Sequence, residues 1–186
     1  MPDTATTRPD EARAAALAAV TARFADSTDG VFEAIATEHG LTPREVAACL
    51  PASTGIRVPG DLFEAVMHDV ANWGVVTFLV HTPDLILECA GTVPKGKIAQ
   101  GYFNLIGDSP IGGHLRSQNC SGIQFVSRTL MGTESHGILF FNGAGGIMFK
   151  IFVGRDKHHR LDADQVVRFR ALRDRLAGPA MREEAG

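Results

Sequence analysis

The hydrophobic pattern of this chain changes period at Val75, and that change constrains the fold more than any other feature. Upstream, apolar residues recur at helical spacing. Downstream, short runs alternate inside and outside, punctuated by Gly, Pro, Asn and Asp. Helical spacing returns once, after Asp162. The pattern predicts an α+β fold with N-terminal helices, a large antiparallel β-sheet and a C-terminal helix.

The helices have legible ends. Residues 11–24 are alanine-rich, with Leu17, Val20 and Phe24 on one face. Asp29 is placed to cap a second helix carrying Phe32, Ile35 and Ala36, which Gly40 ends. Thr42 caps a third, with Pro43 at its first position and Val46, Ala47 and Leu50 inward. Residues 51–60 read as a loop, and Asp61 with Glu64 as a capping box for a fourth helix bearing Phe63, Val66, Val70 and Trp73. Strands are expected near 75–81, 84–90, 98–106, 111–118, 121–127, 135–141 and 146–153, antiparallel because their connections are short. Residues 142–146 read as a hairpin loop between two very apolar strands. In the last helix Val166, Phe169, Leu172 and Leu176 face inward before Gly178-Pro179 stops it. Residues 1–10 read as a disordered tail, 11–60 as the helical segment, 61–178 as the α+β binding region and 179–186 as a second tail, all within one structural domain.

A chain of 186 residues buries one substantial core. Its net charge of −3 supplies no basic field for nucleic acid or anionic lipid. The N-terminus lacks the charged start and apolar run of a secretory signal. Asp84, Glu88 and Lys95 interrupt the most hydrophobic window, so no membrane insertion is expected. Cys49, Cys89 and Cys120 are odd in number and far apart, which fits a reducing, cytoplasmic setting.

Strand parity sorts the polar residues of the β region. His81 shares a face with Thr77 and Leu79, and His114 with Gly112, Arg116 and Gln118. Two strand positions put His114 and Arg116 roughly 6–7 Å apart, a metal ligand beside a carboxylate partner. Gly112 and Gly113 leave bare backbone there for a bulky planar molecule to approach. Tyr102, the only tyrosine, lies on the face of Gln100 and Asn104. On residues alone, His81 and His114 read first as hydrogen-bonded structural side chains, and Tyr102 as a core or rim residue. His68, His158 and His159 read as solvent-facing, and His39 as a helix C-terminal cation.

The segments Val58-Pro59-Gly60, Trp73-Gly74, Leu79-Val80-His81-Thr82, Gly101-Tyr102-Phe103-Asn104-Leu105, Gly113-His114, Asn119-Cys120, Phe140-Phe141-Asn142 and the run 150–156 occur together in this order. With them the chain resembles the ChuX/HutX family of cytoplasmic haem-utilisation carriers, over about residues 41–176. The resemblance implies haem as ligand, His81 and His114 as haem-binding residues, and Tyr102 as a competing axial ligand to the iron. It also implies a homodimer whose paired subunits mimic the two-repeat HemS/ChuS haem proteins. Lys95, Lys97, Arg116, Arg128 and Lys150 are then candidate partners for the haem propionates, Arg116 foremost. Residues 97–100, Lys-Ile-Ala-Gln, lack the extra histidines that some members carry before the tyrosine. The N-terminal helix is longer than the family minimum.

The expected function is a non-catalytic haem carrier that hands its cargo to a downstream haem-degrading or iron-extracting enzyme. A haem-degrading enzyme is the alternative, since Arg116 or Gln118 is a candidate distal donor. A third reading takes residues 29–50 as a helix-turn-helix. There Asp29, Glu33, Glu38 and Glu45 stand against Arg44 alone, too acidic a surface for phosphates.

Overall fold

Residues 9–178 are described by the computed structural model. Helices α1 (Pro9–Asp26), α2 (Phe32–His39) and α3 (Pro43–Ala48) lead into strand β1 (Gly55–Pro59), one 3-10 turn and helix α4 (Phe63–Val70). Then come β2 (Val75–His81), β3 (Ile86–Thr92), β4 (Lys97–Ala99), β5 (Tyr102–Leu105) and β6 (Gly113–Leu115). Strands β7 (Cys120–Leu130), β8 (Thr133–Asn142) and β9 (Ile147–Phe152) precede the closing helix α5 (Ala163–Leu176). Six strands form an antiparallel sheet in the order β1-β7-β8-β9-β2-β3, and β4-β5-β6 form a second, small sheet. The expected α+β architecture is present. Of the expected tails, residues 1–8 and 179–186 lie outside the described residues, whereas Pro9 and Asp10 already belong to α1.

Alternation along the large sheet feeds two cores. One face carries Ile123, Phe125, Ile138, Phe140, Phe149 and Ile151, buried against α4, α5 and Phe103 of the small sheet. The other carries Val126, Leu139 and Phe141, buried against Val20, Phe24, Phe32, Ile35 and Val46 of α1–α3. Helices α2 and α3 thus pack on a sheet with their apolar sides.

Several ends match the sequence signals. Gly40 adopts the left-handed conformation that closes α2 (φ 64°). Thr42 and Glu45 form a reciprocal capping box on α3, and Asp162 caps α5 through the Gln165 amide. Other ends differ. Asp29 does not cap α2, whose first-turn neighbour Val31 makes no side-chain cap. Its carboxylate instead accepts the amides of Gly30, Met131 and Gly132. Asp61 and Glu64 make no capping box either, because a 3-10 turn at Gly60–Leu62 precedes α4 and its N-cap is Leu62. Tertiary packing fixes this corner: a Cβ on Gly60 would stand 2.2 Å from the Cys120 carbonyl oxygen.

The strands differ from the expectation at four points. The stretch 98–106 is two strands, because Gln100 (φ 52°) and Gly101 (φ 78°) turn the chain between β4 and β5. Met131 (φ 51°) and Gly132 (φ 75°) do the same between β7 and β8, extending both strands toward the turn. Residues 55–59, expected in a loop, pair with β7 as an edge strand. The stretch 111–118 keeps only Gly113–Leu115 as strand before a 3-10 turn at Ser117–Asn119.

His136 is buried on β8 (3% exposed), with Ser127 Oγ 2.8 Å from Nδ1 and Glu134 Oε1 3.1 Å from Nε2. Burial holds its imidazole below the ordinary value, with Glu134 opposing. The unfolded imidazole takes a proton near pH 6.5, so below that pH the unfolded state binds more protons than the native state. Its contribution is whole above about pH 6.5 and is lost as pH falls through the folded value. Denaturant melts at about pH 7.5 and 5.5 should show a smaller loss for His136→Gln than for the parent protein; equal losses would contradict this assignment.

Candidate functional site

The helices that cover one face of the large sheet stop short of β2 and β3, and a groove of about 670 Å³ remains there. Strand parity places Thr77, Leu79 and His81 on this side, as the sequence predicts, with Lys150 directly across from Leu79. Its walls include Ile86, Leu130 and Phe152, so it is mainly apolar with a few polar groups. That mixture suits a largely hydrophobic ligand oriented by a few contacts.

Three polar residues of the groove, His81, Arg128 and Lys150, gather around Glu33. Lys150, 6% exposed, donates to Glu33 Oε2 at 2.8 Å and lies 2.6 Å from Oε1. Burial draws its ammonium below the ordinary lysine range, with the Glu33 carboxylate opposing. His81 Nδ1 lies 3.4 Å from the same Oε1. Arg128 donates to the Thr28 carbonyl and stacks over the Phe32 ring at 4.0 Å. Burial pushes Arg128 down to about 10, against the pull of Asp29 and Glu33. Lys150, Arg128, Glu33 and His81 are therefore neighbours at the groove, which Glu88, Arg155, Asp156 and His159 also line.

Tyr102, His114 and Arg116 come together on the small sheet. Asn104 pairs with His114 across β5 and β6, and Tyr102 shares their face, while Phe103 and Leu105 point into the core. The Tyr102 and His114 rings meet edge to face at 5.9 Å. Arg116 donates to the Tyr102 hydroxyl at 2.7 Å and lies over its ring at 4.8 Å. His114 and Arg116 are exposed. Around Gly113 there is open space, as expected for close approach.

Asn104 fixes the tautomer of His114. Its amide Nδ2 faces the carbonyls of Lys97, Ala99 and Tyr102, which leaves Oδ1 as the atom 2.6 Å from His114 Nδ1. Nδ1 is then the donor, and in the neutral ring Nε2 is the nitrogen that keeps a lone pair.

His81 does not join this cluster. It leaves the face of the large sheet opposite to the one on which the small sheet packs. The remaining histidines behave as expected, with one exception. His68 is exposed but tied, its Nε2 3.0 Å from the Gly96 carbonyl and its ring 5.6 Å from Phe103. Glu33 was not marked by the sequence as a site residue, because it reads there as an ordinary solvated helix acid. Among the described residues, no three His, Cys, Asp or Glu side chains converge to hold a bare metal ion. No described helix is long and apolar enough to cross a membrane.

The model of the haem-utilisation ChuX/HutX family matches residues 56–172. The intracellular heme transport protein HutX of Vibrio cholerae is 36% identical over 140 residues, 75% of this chain and 72% of that protein. The structure of the heme-binding protein ChuX superposes with a TM-score of 0.79 at 40% identity, covering 86% of this chain and 99% of that one. The heme-degrading enzyme ChuS of Escherichia coli O157:H7 shares the fold alone, with TM-score 0.67 and 12% identity over 83% of this chain and 47% of ChuS. The family match spans both the groove wall and the Tyr102 cluster, so this chain belongs to the ChuX/HutX haem-utilisation family.

Proposed function

We propose that this protein is a non-catalytic intracellular haem carrier that takes up haem and passes it, unchanged, to a haem-degrading or iron-extracting enzyme. The observation that carries the reading is the open, mainly apolar groove, with the His81 imidazole, the buried Lys150 and the half-buried Arg128 on one side. A bare ion needs three or four protein ligands, whereas iron already held by a macrocycle needs one axial donor. The macrocycle supplies the apolar area for the groove, and its carboxylates suit Lys150 and Arg128. Two donor sets serve the iron: His81 in the groove, and Tyr102 with His114 on the surface, where Arg116 is the carboxylate partner. They lie on opposite sides, so one subunit ligates from one side at a time. A cargo protein gains from exchangeable ligands, because release requires the axial bond to break.

Haem kept with a reductant, oxygen and catalase tests the carrier against the degrading enzyme. A Soret band stable over hours supports carriage, and regiospecific loss with iron release overturns it. The helix-turn-helix reading has no support from the surface of α2 and α3, which carries Glu33, Glu38 and Glu45 against Arg44.

The functional unit we infer is a homodimer. The chain matches about half of ChuS, and β3 forms an open edge of the large sheet with Leu85, Ile86 and Leu87 exposed by 52, 62 and 59%. An apolar edge strand left open is a pairing site. Sedimentation equilibrium should give twice the subunit mass, and Leu87→Asp should shift the protein to monomer. A monomeric parent protein at micromolar concentration would overturn the inference.

A further inference from the structure

We infer that Glu33 is a positioning residue for His81: it accepts the Nδ1 proton, fixes that tautomer and presents Nε2 to the groove as the free nitrogen. This rests on the carrier reading for its purpose, and on geometry for its substance. Glu33 Oε1 is a buried oxygen without an aligned hydrogen bond, and His81 Nδ1 stands 3.4 Å from it. Lys150 Nζ, 2.6 Å from the same oxygen, anchors the carboxylate while leaving that oxygen a lone pair. The resulting order is ammonium, carboxylate, imidazole, ligand. Histidines that bind metals commonly donate their second ring nitrogen in this way, which orients the ring and strengthens the donor.

The two candidate histidines are thereby set apart. His114 is held by a neutral amide oxygen at 2.6 Å, whereas His81 faces a carboxylate oxygen at 3.4 Å. A carboxylate partner makes imidazole the stronger donor and favours ferric iron over ferrous. The helix carrying Glu33 belongs to the N-terminal segment, upstream of the family match at residues 56–172. The helices therefore contribute to the site as well as to the core.

The test has two independent readings. First, nitrogen-15 NMR of the ligand-free protein at about pH 8, where a free imidazole is neutral, should show His81 as the Nδ1–H tautomer. Glu33→Gln should mix the tautomers, because an amide can donate as well as accept. Should Glu33→Gln fail to fold around an unpaired Lys150, Glu33→Gln/Lys150→Met removes both charges and should give the same mixing. Second, hemin affinity of these variants should fall about 10- to 100-fold, and Glu33→Gln should add no loss in a His81→Ala background. An Nε2–H tautomer at His81 in the parent protein overturns the inference while leaving the carrier reading intact. So does a parent-like hemin affinity in Glu33→Gln. Failure of the parent protein to bind hemin overturns the carrier reading, and with it the purpose assigned to Glu33.

Discussion

Phe63→Ala should be the most damaging single truncation of the core, at about 3–5 kcal/mol. Phe63 opens α4 and is 2% exposed. Its ring meets Phe103 of the small sheet at 5.5 Å, and Phe140 and Phe149 of the large sheet at 5.4 and 6.0 Å. Edge-to-face pairs add about 0.5–1.5 kcal/mol each beyond the area they bury. Three elements therefore lose a common contact, and the cavity between two sheets and a helix start cannot collapse easily. The melting temperature should fall by roughly 6–20 °C. Hydrogen exchange should speed most at Phe103 and Leu105, whose sheet reaches the core through this ring. A loss below about 1 kcal/mol would mean that the small sheet is held by other contacts.

The second large effect concerns the donor sets. In a combined His81→Ala, Tyr102→Phe and His114→Ala protein, the hemin dissociation constant should rise at least about 100-fold, roughly 2.8 kcal/mol. The fold should persist, since none of the three belongs to either buried cluster. The separate variants assign the ligand: loss of a tyrosinate charge-transfer band in Tyr102→Phe marks the phenolate, and a changed Soret position in His81→Ala or His114→Ala marks the imidazole. A triple variant with the parent spectrum and affinity would remove all three residues from the site.

Much of this architecture was legible because local chemistry and tertiary demand agree. The period change at Val75, the Thr42 cap and the helix opening at Asp162 all reappear as structure. The turn missed inside 98–106 and the one whose strands run longer than expected share a cause. Gln100-Gly101 and Met131-Gly132 place a non-glycine residue at positive φ without the usual Asn or Asp. At Met131 the support comes from Asp29, over 100 residues away, and no local signal reveals it. Strand β1 was hidden because its pairing partner β7 lies far along the chain.

The candidate site divides in the same way. Parity set Tyr102 beside Asn104 and His114 beside Arg116 within their own segments, and the pairing of Asn104 with His114 joined the two sets. The groove cluster joins α2 to β2, β7 and β9. Glu33, Lys150 and His81 meet only after the helices fold onto the sheet. Their distances along the chain carry no pattern to read.

Hemin titration of the purified protein, followed at the Soret band, tests the central claim most directly. The account predicts saturable uptake at micromolar concentration, with a shifted band and one haem per subunit. Absence of saturation, or a spectrum indistinguishable from free hemin, would contradict it.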